Sequence, residues 1–482
     1  MKIRVVLSIF VVSFVTACSI GPQYQRPTAV ALDSYRSYVG TPEAVSFADL
    51  PWWDVFHDEV LEGLINEALR NNYDLRIAAS RVEQSRALYG VARADLFPQI
   101  GYEGGIGRSR GTSQLSVPVL SGQESNAFQG LFNFAWELDV WGRIRHSTEA
   151  AIADLLAAEE FRRGVVLSLV SDVAQAYFEL RELDLELEIA RRTTESFQKT
   201  LDLFSRRLQL GVASKLETAR AEAALASTAA TFANLERFIV AKENQIALLL
   251  GRPPGPIPRG AVLTTDHVLP PDTPPGLPSQ LLERRPDIRQ AEQELIAANA
   301  RVGVAQADFF PRIGLTGLFG GASQDIEKVF LGSGNIWTVA GQLSGPLIQG
   351  GRLSSLYQSS VAQWEQAKLQ YEQSVITALR EVSNALIDQQ KLAEVRREQE
   401  RTVAALRESV RLSTLRYSGG FAGYFEVIES QQQLFPAENA LAQTRRDQLI
   451  AVVQLYRALG GGWTAYAEQP QLPVTWEEVV RP

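Results

Sequence analysis

Ala94-Asp95-Leu96-Phe97-Pro98-Gln99-Ile100-Gly101 returns later in the chain as Ala307-Asp308-Phe309-Phe310-Pro311-Arg312-Ile313-Gly314. The offset, 308 − 95 = 213, also carries Asp74 onto Asp287 and Arg76 onto Arg289. Past this motif the register changes. Gly142-Arg143-Ile144 answers to Gly351-Arg352-Leu353 at 351 − 142 = 209, which takes Gly211 to Gly420, Glu217 to Glu426 and Leu250-Gly251 to Leu459-Gly460. Two registers held this long mark a tandem duplication, with a length difference of 213 − 209 = 4 falling between Gly101 and Gly142. A chain of 482 residues would otherwise suggest about two to four unrelated domains.

Each Phe-Pro motif opens a stretch of period two. In the first half Gly130, Phe132, Phe134, Trp136, Leu138 and Val140 alternate with Leu131, Asn133, Ala135, Glu137 and Asp139, and a partner strand begins after Pro98. The second half offers Ile313, Leu315 and Phe319, then Trp337, Val339 and Leu343. Alternation alone fits a soluble β-sandwich equally well. Two facts favour a membrane barrel: a tilted strand of about ten residues spans the hydrocarbon core, and aromatic residues cluster near the segment ends. Four strands cannot close a barrel alone, and an open edge in lipid leaves backbone groups unsatisfied at several kcal/mol each. Several chains must therefore share one barrel.

The segments that follow are long helices. Arg143 to Leu210 contains no proline and only Gly164, and Arg352 to Tyr417 contains neither residue type. At about 1.5 Å per residue each reaches roughly 100 Å. Val166, Leu169, Val170, Val173, Tyr177, Leu180, Leu183 and Leu187 form an apolar stripe at spacings of three and four. Val375, Leu379, Val382 and Leu386, then Val403, Leu406, Val410 and Tyr417, repeat it. Narrow stripes with polar flanks are coiled-coil seams. Pro436 lies inside the last predicted helix, where a local kink is expected.

At the amino end, Lys2 and Arg4 precede the apolar run Val5 to Val15, too short to span a bilayer comfortably, and the run ends in Val15-Thr16-Ala17-Cys18. This resembles the bacterial lipoprotein box, which implies cleavage before Cys18, the only cysteine, and its acylation. Several acyl chains at roughly 0.8 kcal/mol per buried CH₂ give a stable anchor. Ser19 rather than Asp at the next position points, by the same resemblance, to the outer membrane.

The domains read as signal peptide 1–17, lipid-anchored segment 18–56, first repeat 57–251, connector 252–278, second repeat 279–460 and tail 461–482. The connector holds nine of the 22 prolines and so cannot continue a helix. Loss of Lys2 and Arg4 leaves 45 basic against 55 acidic residues, a net charge of −10, so nucleic acid is excluded as a partner. His57, His146 and His267 lie in unrelated segments with no metal-ligand spacing, and no nucleophile or phosphate-loop motif occurs, which argues against an enzyme and against any cofactor.

Together these residues resemble the TolC-like outer membrane efflux proteins, in their lipoprotein branch. The landmarks are Cys18-Ser19-Ile20-Gly21-Pro22-Gln23-Tyr24-Gln25-Arg26-Pro27, the approach from Trp52-Trp53 to Asn72, both Phe-Pro strand entries and the glycine-bearing helix turns. The resemblance runs from Cys18 to about Gly460. It implies an α+β membrane protein: a homotrimer with a twelve-stranded outer-membrane β-barrel, four strands per chain, continuous with a coiled-coil helical barrel through the periplasm. It also implies export of small molecules in company with a periplasmic adaptor and an inner-membrane transporter of the RND type, with outer-membrane lipid around the barrel.

Gly211 and Gly420 interrupt the long helices at the end farthest from the strands, so both turns are expected at the periplasmic tip. In the family this tip closes like an iris ringed by acids. The motif match places those acids on Glu426 and Glu429, one helical turn apart. Tyr417 matches the tyrosine that ties one coil to the next, and Glu217 its acidic partner. Where the family usually carries a basic residue after that tyrosine, this chain has Gly420-Phe421-Ala422-Gly423, which argues against a second gating bond. The outer channel of a type I protein-secretion system shares this architecture, and a non-conducting coiled-coil lipoprotein explains anchor and helices without explaining the duplicated strand pairs. Copper or silver cargo finds no encouragement, since the only methionine is Met1.

Overall fold

The computed structural model describes residues 20–28, 35, 58–110, 124–260 and 278–461. The signal segment, Cys18, Trp52-Trp53, most of the connector and nearly all of the tail lie outside the described residues.

The first repeat runs α1 (Glu59–Asn71), α2 (Tyr73–Ala94), β1 (Gln99–Arg110), β2 (Glu124–Leu138), α3 (Arg143–Gln209) and α4 (Lys215–Leu249). The second runs α5 (Leu281–Arg284), α6 (Pro286–Ala307), β3 (Arg312–Ser323), β4 (Asn335–Ser344), α7 (Arg352–Ser418) and α8 (Phe425–Ala458). Both long helices, α3 and α7, are 67 residues, as the proline-free stretches require. Pro436 sits inside α8 without ending it. No helix among the described residues is long and apolar enough to cross a membrane. Residues in contact form two compact units. One contains the sheet, most of α2 and α6 and the starts of α3 and α7; the other contains α1, α4, α5, α8 and the rest of α3 and α7.

The duplication reappears as paired capping chemistry. Helices α3, α4, α7 and α8 all end in the same motif, in which a left-handed glycine lets two following amides turn back onto the last turn's carbonyls. In α3, Gly211 (φ +73) donates to the Leu208 carbonyl and Val212 to that of Arg207; in α7, Gly420 (φ +76) donates to Tyr417 and Phe421 to Arg416. The α1–α2 corner adds a second device. Asn72 is buried there and its amide donates to the Leu249 carbonyl at the end of α4 (2.9 Å), while its side-chain oxygen accepts from the Leu75 amide (3.0 Å). Arg285 stands at the matching corner of the second repeat and donates to the Ala458 carbonyl at the end of α8 (2.9 Å). Each repeat is thus closed by its own corner residue, which satisfies a carbonyl the helix leaves open.

The four strands form one antiparallel sheet in the order β1-β2-β3-β4. Trp136 and Trp141 pin its helix-side end, the first donating to the Leu96 carbonyl (3.0 Å), the second to that of Pro311 (2.7 Å) while stacking on Phe310. Arg143 makes a bidentate pair with Glu137 at 2.9 Å, joining strand end to helix start.

Candidate channel wall and gate

Register converts the period-two pattern into two chemically distinct faces. The pairings Tyr102↔Phe132, Phe132↔Phe319 and Phe319↔Trp337 lay one aromatic row across all four strands. On either side of it the same face carries Ile100, Phe134 and Val339, and Ile106 with Phe128. The opposite face holds Glu103, Gln129, Asn133, Thr316, Thr338 and Gln342, and Gln129 donates to Glu103 across the strands at 3.0 Å. An apolar face rich in exposed aromatics suits lipid, and a polar face suits water. Among the described residues, β1 and β4 each pair on one side only. In lipid those edges must meet the edges of other copies.

The turns that follow α3 and α7 share one small core. Phe204, Ala221, Tyr424, Val427 and Ile428 are buried together, with Leu201, Ala213 and Tyr417 packed against them. Phe204 and Tyr417 both meet the Tyr424 ring edge-on, with centroids 4.8 Å away, and Tyr424 shares a 2.6 Å hydrogen bond with Thr200. Edge-to-face pairs of this kind add about 0.5–1.5 kcal/mol each beyond their buried area.

Within one chain, the gate residues expected from the sequence take the following partners. Tyr417 and Glu217 make no hydrogen bond with each other. The Tyr417 hydroxyl accepts from Arg207, whose guanidinium lies 5.6 Å from the ring centroid. Glu217 is engaged in a capping box at the start of α4: its carboxylate accepts from the Ser214 amide (2.8 Å) while the Ser214 hydroxyl accepts from the Glu217 amide (3.3 Å). The physical reason is local, since an acid three residues after an N-cap serine has a nearer donor than a tyrosine on another helix.

At offset 209 the equivalent of Ser214 is Gly423, which has no side-chain oxygen, so the equivalent of Glu217, Glu426, has no reciprocal box to join. Glu426 instead accepts from Arg416 at 3.3 Å. Glu429 is exposed and makes no ion pair with any described residue. Arg207 and Arg416 were not singled out by the sequence reading. They are repeat equivalents (416 − 207 = 209), and that register is the signal that could have found them.

Further along α8, Glu438 is 5% exposed in its side chain and binds two arginines from the long helices. Arg192 of α3 donates at 2.5 Å, and Arg407 of α7 donates through Nε (3.0 Å) and Nη2 (2.7 Å). Glu182 and Glu186 of α3 form a second buried acidic site against Arg446 (3.2 Å to Glu182) and Gln443 (2.8 Å to Glu186). Burial first, and the Glu186 carboxyl second, push Glu182 up to about 8 against the pull of Arg446. In the other unit, Arg26 makes a bidentate pair with Glu292 of α6 at 2.5 Å, and Tyr24 donates to the same carboxylate at 3.0 Å. The segment just after Cys18 is thereby fastened to α6.

An open-edged sheet with one face for lipid and one for water, carried on long helices that end in tightly capped turns, defines a wall segment of an oligomeric outer-membrane channel. The chain belongs to the outer membrane efflux protein family, whose pattern matches residues 64–252 and 277–461. Its fold is the one this membership carries: a trimeric, twelve-stranded outer-membrane barrel with four strands per chain, together with long helical coils. It is 35% identical over 463 residues to the toluene efflux pump outer membrane protein TtgC of Pseudomonas putida, covering 95% of each chain. It is 33% identical over 453 residues to the cation efflux system protein CusC of Escherichia coli, covering 93% of this chain and 96% of that one. Among solved structures, the outer-membrane channel OprN superposes with a TM-score of 0.85 at 31% identity, over 92% of this chain and all of that chain. The open state of the Neisseria gonorrhoeae MtrE channel gives 0.83 at 30% identity, over 92% and 99%. The protein is the outer-membrane channel component of an efflux pump.

Proposed function

We propose that the periplasmic aperture of this channel is gated by the second repeat alone, with Glu426 and Glu429 as stacked acidic rings and Arg416 as the latch on Glu426. The observation that carries the reading is the Arg416 to Glu426 contact at 3.3 Å beside the Gly420 turn. Tyr417 contributes through Arg207 and the tyrosine cluster, which hold the turn in place. Glu217 contributes by fixing the start of α4. Both partners of the latch are about half exposed, so its strength is that of a surface pair, roughly 0–1 kcal/mol per chain. Three such latches suit a gate that an adaptor protein can open. Cys18 is the acylated anchor, and the partners are a periplasmic adaptor and an RND-type inner-membrane transporter.

Cargo is small and organic in this reading. TtgC is named for toluene, whereas CusC is named for cations, and the lack of any methionine besides Met1 favours the former class. No reaction is assigned to the chain.

The test is single-channel conductance of the purified protein in a planar bilayer. Wild type is expected to give small, cation-selective openings. Glu426→Ala/Glu429→Ala should lose cation selectivity, and Arg416→Ala should raise the open fraction while keeping it. A conducting channel indifferent to all three changes removes these residues from the gate. A folded trimer that never conducts sinks the channel reading in favour of a structural lipoprotein.

A further inference from the structure

The connection between β3 and β4, residues 324–334, does not stand away from the sheet. It makes a 3₁₀ turn at Ile326–Lys328 and is tied by its own hydrogen bonds: Leu331 donates to the Lys328 carbonyl (3.2 Å), Gly334 to Leu331 (2.8 Å) and Ala322 to Gly334 (3.0 Å). Val329 is buried, 4% exposed, against the sheet.

Strand alternation fixes which face it covers. Gly130 is two residues from Phe132, and Gly321 two residues from Phe319, so both lie on the face that carries the aromatic row. A Cβ at Gly130 would approach the Phe330 ring to 3.1 Å, and one at Gly321 would run into the Val329 carbonyl. Gly104, Gly130 and Gly321 are paired in one row across three strands. Their missing side chains leave a shallow trough on the apolar face, and the loop settles into it. This row lies one step beyond the aromatic row, away from the strand ends that lead into the helices.

Folding back has not buried the loop's apolar side chains. Phe330 is 77% exposed, Ile326 61% and Leu331 56%, alongside the charged pair Asp325 and Lys328 at 2.6 Å. A water-facing loop with its own hydrogen bonds gains nothing by holding three large apolar groups outward. A loop at the boundary between head groups and acyl chains does, because apolar and charged groups then each have a suitable solvent. The trough is continuous with the lipid-facing barrel surface, so the neighbouring phase is already set.

We infer that residues 324–334 form an interfacial anchor, in which Ile326, Phe330 and Leu331 enter the outer leaflet of the membrane at its head-group boundary and fix the depth of the barrel. The inference rests on the outer-membrane placement of the sheet and is independent of the gate.

The experiment uses full-length Phe330→Cys carrying a thiol-linked bimane, reconstituted in phosphatidylcholine vesicles, with Leu331→Cys as a second site should the label at 330 disturb packing. Unsubstituted protein treated in the same way is the blank for Cys18. Bromines placed near the head groups should quench the label at least twofold and more than bromines deep in the chains. Aqueous iodide should quench it several-fold less than a label at Asn234→Cys, an exposed position on α4. Iodide access equal to that at 234 with no bromolipid quenching would put the loop in water and overturn the inference. Protection from both quenchers would put it under a neighbouring subunit and overturn it equally.

Discussion

Glu438 gives a sharp test of how the long helices are held to α8, because the acid and its partners differ in solvent exposure. The carboxylate is 5% exposed, whereas the side chains of Arg192 and Arg407 are 58% and 60% exposed. Replacing Glu438 by Gln removes three charge-assisted hydrogen bonds but frees two guanidiniums that already reach water, so the expected cost is about 1–3 kcal/mol. Replacing both arginines by Met instead strands a carboxylate in the packed interface without a counter-charge, and about 3–5 kcal/mol should be lost. The triple change Glu438→Met/Arg192→Met/Arg407→Met should recover most of that loss, since no buried charge remains. Unfolding of the detergent-solubilised protein by denaturant, followed by circular dichroism with an unchanged slope, gives the three free energies. If Glu438→Gln proves as damaging as the arginine pair, and the triple change is the worst of all, the desolvation argument is refuted and the site acts only through direct bonding.

Three further outcomes follow from the same structure. Glu182 is raised from the ordinary 4.5 to about 8, so between those values the folded chain keeps a proton that the unfolded chain has released. The contribution of Glu182 to stability should therefore be fully present below pH 4.5 and be lost as pH rises through 8, and Glu182→Gln should reduce the difference between denaturant titrations at pH 5 and pH 8. Gly420→Ala meets empty space but must adopt φ +76, so it should cost roughly 1–2 kcal/mol and speed amide exchange at Phe421, which donates within the same cap. Gly423→Ser would place a hydroxyl at the repeat equivalent of Ser214, one residue before the Tyr424 N-cap of α8 and three before Glu426, whose amide already donates to the residue 423 carbonyl at 3.3 Å. It should draw Glu426 into a capping box and raise the open fraction in conductance recordings toward that of Arg416→Ala.

Much of the fold was legible because it is written in periodicities that tertiary context rarely overrides. Proline-free stretches with an apolar stripe became the two 67-residue helices, and period two after each Phe-Pro became the paired strands. The register that aligns Tyr102, Phe132, Phe319 and Trp337 was not legible, since single-strand alternation gives sidedness but not pairing. The tip was legible in part. Ser214-Lys215-Leu216-Glu217 is a capping-box signature on its face, and it competes with any longer-range role for Glu217. The partner of Tyr417 was hidden because Arg207 lies 210 residues away on a different helix. Long, flexible arginines choose partners by tertiary geometry that spacing along the chain does not encode.

Duplication alone would make both repeats equivalent at the tip, and the structure identifies where that equivalence is broken. The backbone repeats faithfully: Gly211 and Gly420 carry the same positive φ and the same pair of returning amides. The helix-start acids, Glu217 and Glu426, stand in register, as do the arginines Arg207 and Arg416. The residues around them differ, with Ser214 for Gly423 and Leu208 for Tyr417 among the exchanges, and the groups find different partners. In the first repeat the acid accepts from the Ser214 amide of its own helix start, and Arg207 donates to the Tyr417 hydroxyl. With a glycine, the acid has no hydroxyl to reciprocate and reaches its arginine instead. The first repeat's acid is thereby held within its own helix start, and the second's makes a half-exposed contact of surface-pair strength. The gate proposed above would use both behaviours in one chain: a frame to hold the aperture and a contact weak enough to be released.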